Sequence, residues 1–436
     1  MTKLTRRAFH RTSSRLAIVA AATGVPVSFL LDRTMARAAD DALPTFTIVH
    51  TSSRGEPINV NCPGSYVPDA DNNPAQSLAP ATVTLGSESH QGAAPWAALP
   101  GPLRDRLQFF HHASFTNAHI EYPTILECFG AIKDDEGNGS ESLPSALAQE
   151  NAAAMDTIQV EPVDLRRGHR PVFFRGNPIP LTPPSAIADL FGGSGGELDE
   201  LAELRDTHLD QLHAALKENG TAAEKAFLDR YAQGRSQAKA MGDQLGSLLA
   251  GVMQGDDGPQ AQAIAAVAMM KLNLSPVILL HFGFGGDNHK DSQLEEEELE
   301  TLAGVDAIET LWNELVAAEL QDRATFVTFD VFGRTLARNA GGGRDHQANH
   351  HVMAMFGPCT RAGVVGGVEK VSNGNRPFSA RPIDSATGQA SDDGDVTLEG
   401  SLTAAAATLA AAVGVPSDRI ETRVAGGKVV TGALTG

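Results

Sequence analysis

Pro276-Val277-Ile278-Leu279-Leu280-His281-Phe282-Gly283-Phe284-Gly285-Gly286-Asp287-Asn288-His289 decides how this chain is read. Its apolar start is short, partly β-branched and bounded by proline and glycine, the pattern of a strand buried on both faces. It runs into glycines that permit close backbone approach, then into a carboxylate and an imidazole two residues apart. A second such run, Phe326-Val327-Thr328-Phe329, leads into Asp330-Val331-Phe332-Gly333-Arg334-Thr335. Downstream come Gly341-Gly342-Gly343-Arg344-Asp345-His346 and then His350-His351. Open α/β sheets hold ligands just beyond the carboxyl ends of their strands. If these runs are neighbours in one sheet, Asp287, His289, Asp330, Asp345 and His346 meet on one rim, where carboxylates and neutral imidazoles suit a divalent cation. Arg334 and Arg344 are suited to a two-pronged grip on an oxyanion.

Working outward, Phe46-Thr47-Ile48-Val49-His50 reads as a first strand, and Thr51-Ser52-Ser53-Arg54-Gly55 follows it. Ser52 or Ser53 is a candidate nucleophile or oxyanion donor, although serines before glycine are commonly turn formers. From Asn59 to Gln91 the polar, proline-rich composition reads as a long loop. Leu107-Gln108-Phe109-Phe110 reads as a second strand leading into His111, His112, His119 and Glu121. That density makes metal or substrate binding by His119 an even match for a structural role, while one packed and one solvated residue is the expectation for His111 and His112. Arg166, Arg167, His169 and Arg170 form a basic patch, expected to pair with neighbouring carboxylates. A helical block covers about 197–272, with a capping box at Thr221 and Glu224 and a buried face through Phe227, Tyr231, Met241, Leu245, Leu248 and Leu249. The acidic run Glu295 to Glu300 reads as a solvated helix start.

The 436 residues are 42% hydrophobic, enough for a large α/β core. A formal charge of -19 leaves no basic stripe to displace counterions from phosphates, which argues against a nucleic-acid partner. Three cysteines, Cys62, Cys128 and Cys359, are too few and too scattered for a disulfide framework, though one bridge is possible. Residues 1–38 read as a leader: Arg6-Arg7, an apolar run from Leu16 to Leu31 interrupted by Pro26, and Ala36-Arg37-Ala38. The run is shorter than the ~20 residues needed to span a bilayer. The expectation is therefore a twin-arginine-exported, periplasmic or secreted chain with no stable membrane anchor, and a mature domain over residues 39–436.

The leader, Gly285 to His289, Phe332 to Thr335 and Gly343 to His346 together resemble the exported family catalogued as domain of unknown function 1501, which is usually placed in the alkaline phosphatase and sulfatase superfamily. The resemblance is good over about 275–367 and follows the rest in outline. It implies a three-layer α/β/α sandwich with a mostly parallel sheet and a helical insertion. It also implies divalent metal (zinc, manganese or calcium) at the strand ends, with Asp287 and His289 as one metal-binding segment and Asp345-His346 as the pair common to the superfamily. Asp330 stands where the family pattern has Glu. The usual Asp after the first strand is missing, since none occurs before Asp69; His50, Glu56 or His119 are the candidates to replace it. The activity implied is metal-dependent hydrolysis of a small anionic phosphate or sulfate ester. In it Ser52, Ser53 or a metal-bound water attacks and Arg334 or Arg344 holds the non-bridging oxygens. The alternatives are an inactive metal-binding or scaffold protein on the same fold, and an envelope assembly component without metal.

Overall fold

A computed structural model describes residues 45–436 apart from 122–124, 127–140, 156, 158–159, 167–171, 192–196, 222–223, 226–227, 229–241, 243, 250–251, 253–254, 372–376 and 436. The leader, Cys128, Arg167, His169, Arg170, Phe227, Tyr231 and Met241 lie outside the described residues. Seven strands form the central sheet: β1 (Phe46–Ser52), β2 (Leu107–His112), β3 (Val163–Asp164), β4 (Val277–Leu280), β5 (Ala324–Asp330), β6 (His351–Phe356) and β7 (Gly363–Val365). Their order is β7-β2-β6-β5-β1-β4-β3. β1 runs parallel to β4 and β5, β4 to β3, and β2 to β7; β6 alone is antiparallel to its neighbours.

The longer helices are α1 (Leu143–Met155), α2 (Glu197–Asn219), α3 (Pro259–Lys271), α4 (Glu295–Ala317) and α5 (Ser401–Ala412); α3 and α4 cover one face of the sheet and α1 and α5 the other. Alternate strand residues choose the face. Ile48, Ile278, Leu280 and Phe326 pack with Ala263 and Ala266 of α3 and Ile308 and Leu311 of α4. Val49, Val277, Leu279 and Val327 pack with Leu147 of α1 and Leu402 and Leu409 of α5. Every residue of β1, β4 and β5 is buried, which is why these strands read as unbroken apolar runs rather than alternating ones. Burying each large apolar side chain contributes about 1.5–3 kcal/mol. An aspartate at Ile48, which is 0% exposed, would set an unpaired carboxylate in this layer and break it.

Three expectations change. The stretch Asn59 to Gln91 is not wholly a loop: Pro80–Leu85 and Glu88–Ala93 form an antiparallel hairpin, held to the core by Val83 and Leu85. His111 and His112 both lie inside β2 and both are buried, because β6 and β7 pair with that strand on either side. Within the acidic start of α4, Glu297 is fully buried. Its carboxylate receives Arg344, Asn61, Asn73 and Asn288. The capping box is formed, the Thr221 and Glu224 side chains each accepting the other's backbone amide. Among the described residues no helix is long and apolar enough to cross a membrane.

Candidate metal centre

The carboxyl ends of β1, β2, β4 and β5 share one rim with the start of the antiparallel β6. His119 lies seven residues past the end of β2, and Asp287 seven past the end of β4. His346 sits on the connection between β5 and β6, where Gly333–Arg334 pairs with His346–Gln347. One ligand-type atom from each of His119, Asp287 and His346 lies within 4.8 Å of the other two. His289 stands beside two of them: its Nε2 is 2.9 Å from His346 Nε2 and 3.1 Å from Asp287 Oδ1. His346 Nε2 is 3.3 Å from the same oxygen, and His119 Nε2 is 3.6 Å from Asp287 Oδ2.

Hydrogen bonds on the far side of each ring fix its tautomer. His346 donates Nδ1–H to the Asn117 carbonyl at 2.6 Å, and His119 donates its own to the Ser53 carbonyl at 2.7 Å. His289 donates Nδ1–H to Asp345 Oδ1 at 3.0 Å, and Asn339 Nδ2 donates to the same oxygen. With Nδ1 so engaged, all three rings turn Nε2 towards the Asp287 carboxylate. Two lone pairs 2.9 Å apart repel unless a cation lies between them. Oxygen partners on Nδ1 are the usual way in which metal-binding imidazoles are oriented. Ligand bonds of about 2.0–2.2 Å put the donor atoms of a tetrahedral site roughly 3–3.5 Å apart; Asp287, His289 and His346 stand near that spacing, and His119 is slightly farther out at 3.6 Å from the second Asp287 oxygen.

Local packing explains the approach. Gly55 has φ +68°, and a β-carbon on it would sit 1.9 Å from the Phe332 ring. Phe332 therefore packs on the turn after β1 and stacks on His346 at 4.2 Å while meeting His119 edge-on at 4.9 Å. Gly343 passes within 2.3 Å, measured from a built β-carbon, of the Asn288 carbonyl; this brings the loop of Asp345 and His346 against that of His289.

Burial alone would favour a neutral Asp287, but the Arg334 guanidinium, 3.0 Å away, holds its carboxyl below the usual range. Desolvation, followed by the charge of Arg334, lowers the His346 pKa and keeps that imidazole neutral.

The other proposed residues are placed differently. Arg334 is buried and donates to the Gly55, Arg54 and Gly286 carbonyls as well as to Asp287, so it braces the site from behind. Arg344 is buried against Glu297 and the Thr335, Leu336 and Asp71 carbonyls and does not reach the cleft. Asp345 backs His289 through its Nδ1, on the side of the ring away from Asp287. Asp330 is buried in β5, where its oxygens accept the Glu56 and Val331 amides at 2.6 Å. Burial, reinforced by the Glu56 charge, pushes the Asp330 carboxyl well up. Ser52 is buried, and its Oγ accepts the Arg54 amide. Ser53, Arg54, His119, Gly286 and Asp287 line an open cleft of about 380 Å³.

The family comparison falls on the same rim. Residues 192–381 match the family model described as Protein of unknown function (DUF1501). Over that stretch the chain is similar to the family. Asp287, His289, Arg334, Asp345 and His346 come from the DUF1501 stretch, whereas Ser53 and His119 come from outside it. No curated protein is similar to the chain.

Behind the centre sits a second group of imidazoles. His50 Nδ1 accepts the Phe282 amide at 3.0 Å, so its proton is on Nε2, which donates to Glu56 Oε2 at 3.1 Å. His281 Nε2 is 2.6 Å from Glu56 Oε1. Further along the rim, Asn59 donates to His350, His350 Nε2 to His111 Nδ1, and His111 Nε2 to the Pro63 carbonyl. His50 and Glu56, two of the candidates to replace the missing Asp, are thus bonded to each other, and only His119 reaches the centre. The matching offsets of His119 and Asp287 from their strand ends are the signal that could have selected it.

Proposed function

We propose that the chain is an exported, metal-dependent hydrolase of phosphate or sulfate esters, related to the alkaline phosphatase and sulfatase superfamily. One observation carries the reading: three imidazoles, each with Nδ1 tied to an oxygen, aim Nε2 at the Asp287 carboxylate beside an open cleft. His119, Asp287, His289 and His346 hold the ion, and Asp345 orients His289. A donor set dominated by imidazole suits zinc and disfavours calcium, which takes oxygen ligands. The ion, when bound, polarises an ester oxygen and stabilises the departing alkoxide as a Lewis acid. Ser53, which lines the cleft, is the hydroxyl positioned to attack, while Ser52 is enclosed beneath it. Arg334 keeps Asp287 ionised and fixed in place.

A second reading, an inactive metal-binding scaffold, is favoured by one observation. The exit of β1 supplies no carboxylate to the centre, since Glu56 is engaged by His50 and His281. Metal content of the exported protein, together with turnover of aryl phosphates and aryl sulfates by metal-loaded wild type and Asp287→Asn, separates the readings. Turnover lost in the variant supports the hydrolase. Bound metal without turnover on a broad ester panel supports the scaffold, and protein free of metal after loading refutes both.

A further inference from the structure

The cleft has a cationic residue that the metal centre does not use. Arg54, two residues past β1, is exposed and lines the cleft beside Ser53, His119 and Asp287. Its backbone is pinned: the amide donates to Ser52 Oγ at 3.1 Å, and the carbonyl accepts from Arg334 Nη2 at 2.9 Å. Its stem crosses Gly286, where a built β-carbon lies 4.0 Å from Arg54 Cδ. Among the described residues the Arg54 guanidinium makes no ion pair. Glu300, the carboxylate that feels its charge, is bonded to the Gly286 amide.

The other arginines around this rim are engaged. Arg334 and Arg344 are enclosed by carboxylates and carbonyls, and Arg338 donates to the Gly342 and Ser292 carbonyls. In a chain of formal charge -19, a guanidinium fixed at its root and free at its fork, beside a cation site, is a device for anions.

We infer that Arg54 is the oxyanion-binding residue of this cleft, taking two oxygens of a tetrahedral phosphoryl or sulfuryl group whose remaining oxygens face His119 and Asp287. This inference rests on the metal-hydrolase reading for its location and replaces Arg334 and Arg344 in the role of substrate grip. The planar fork matches two oxygens of such a group, whereas a lysine at the same place supplies charge without the second bond.

The test titrates inorganic phosphate, and separately sulfate, into the full chain by calorimetry, in zinc-loaded and chelator-treated forms, with zinc per chain measured independently. Arg54→Gln is expected to weaken phosphate binding about tenfold or more and Arg54→Lys by less, as befits loss of a charge-assisted bidentate contact. Zinc content and the urea midpoint should not change in either variant. Wild-type affinity in zinc-loaded Arg54→Gln overturns the inference and leaves the metal reading standing. If wild type binds no zinc, the metal reading fails. Phosphate binding that still depends on Arg54 in the chelated form then supports the inference, and its absence overturns it.

Discussion

Two clusters of imidazole and carboxylate lie within one rim of this sheet, and they differ in where the ring protons are. In the open cluster, His119, His289 and His346 give Nδ1–H to oxygens of Ser53, Asp345 and Asn117 and direct Nε2 at Asp287. In the buried cluster, His50 is turned the other way, Nδ1 on the Phe282 amide and Nε2–H on Glu56. Residue types are the same, yet one arrangement leaves lone pairs for a cation and the other satisfies them within the fold. The buried imidazoles hold the molecule together, and the open ones are available for chemistry.

That contrast can be broken most forcefully at Glu56, whose side chain is 0% exposed and accepts from His50 and the Phe284 amide while meeting His281. Glu56→Ala strands those donors and is expected to cost about 3–5 kcal/mol of stability in urea unfolding of metal-free protein. Metal binding by the folded fraction should survive; a stable variant that has lost its metal would reverse the assignment of the two clusters.

Acid tests the same point. Burial pushes the His111 and His112 imidazoles down to about 4 from the ordinary 6.5. In that window the unfolded state binds more protons than the folded one, so stability is full above about pH 6.5 and is lost as the pH falls towards 4. Each imidazole contributes a slope of about 1.4 kcal/mol per pH unit. Denaturant unfolding of metal-free protein at pH 7 and pH 5 reads it, and a flat profile would show that these rings are solvated.

On the open side, Asp287→Asn removes the charge that three Nε2 atoms face, and metal affinity should fall about 100-fold or more, measured by competition with a chromogenic chelator. Unfolding of the metal-free variant should move less than for Glu56→Ala, since Asp287 is 52% exposed. The smallest effect is expected at Asp345, which orients His289 without joining the donors. Asp345→Ala should weaken metal binding about 10-fold. A loss as large as that of Asp287→Asn would make Asp345 a ligand.

Much of this was legible in the chain. Val277–Leu280 and Ala324–Asp330 declare themselves as strands because both faces are covered, and the residues that follow them reach the rim for that reason. The hairpin over Pro80–Ala93 was hidden by a largely polar composition in which Val83, Leu85 and the small Ala93 anchor the core. Arg334 and Arg344 look alike in sequence, each following a glycine near a strand end. Their partners, Asp287 with three carbonyls for one and Glu297 of α4 for the other, come from segments far along the chain. Cys62 lies buried, and desolvation raises its thiol to about 12, the behaviour of a small core residue rather than a reactive one.

The sequence by itself determined the strands, the glycine-bearing turns after them and the supply of carboxylates and imidazoles at their ends, since these follow from local patterning and from covalent neighbours. Only the tertiary structure decided which of those side chains face one another, which nitrogen of each ring carries the proton and which arginine keeps its fork free. Those outcomes depend on carbonyls and carboxylates delivered from distant segments, such as Asn117 to His346 and Ser53 to His119, and no local pattern encodes such a meeting.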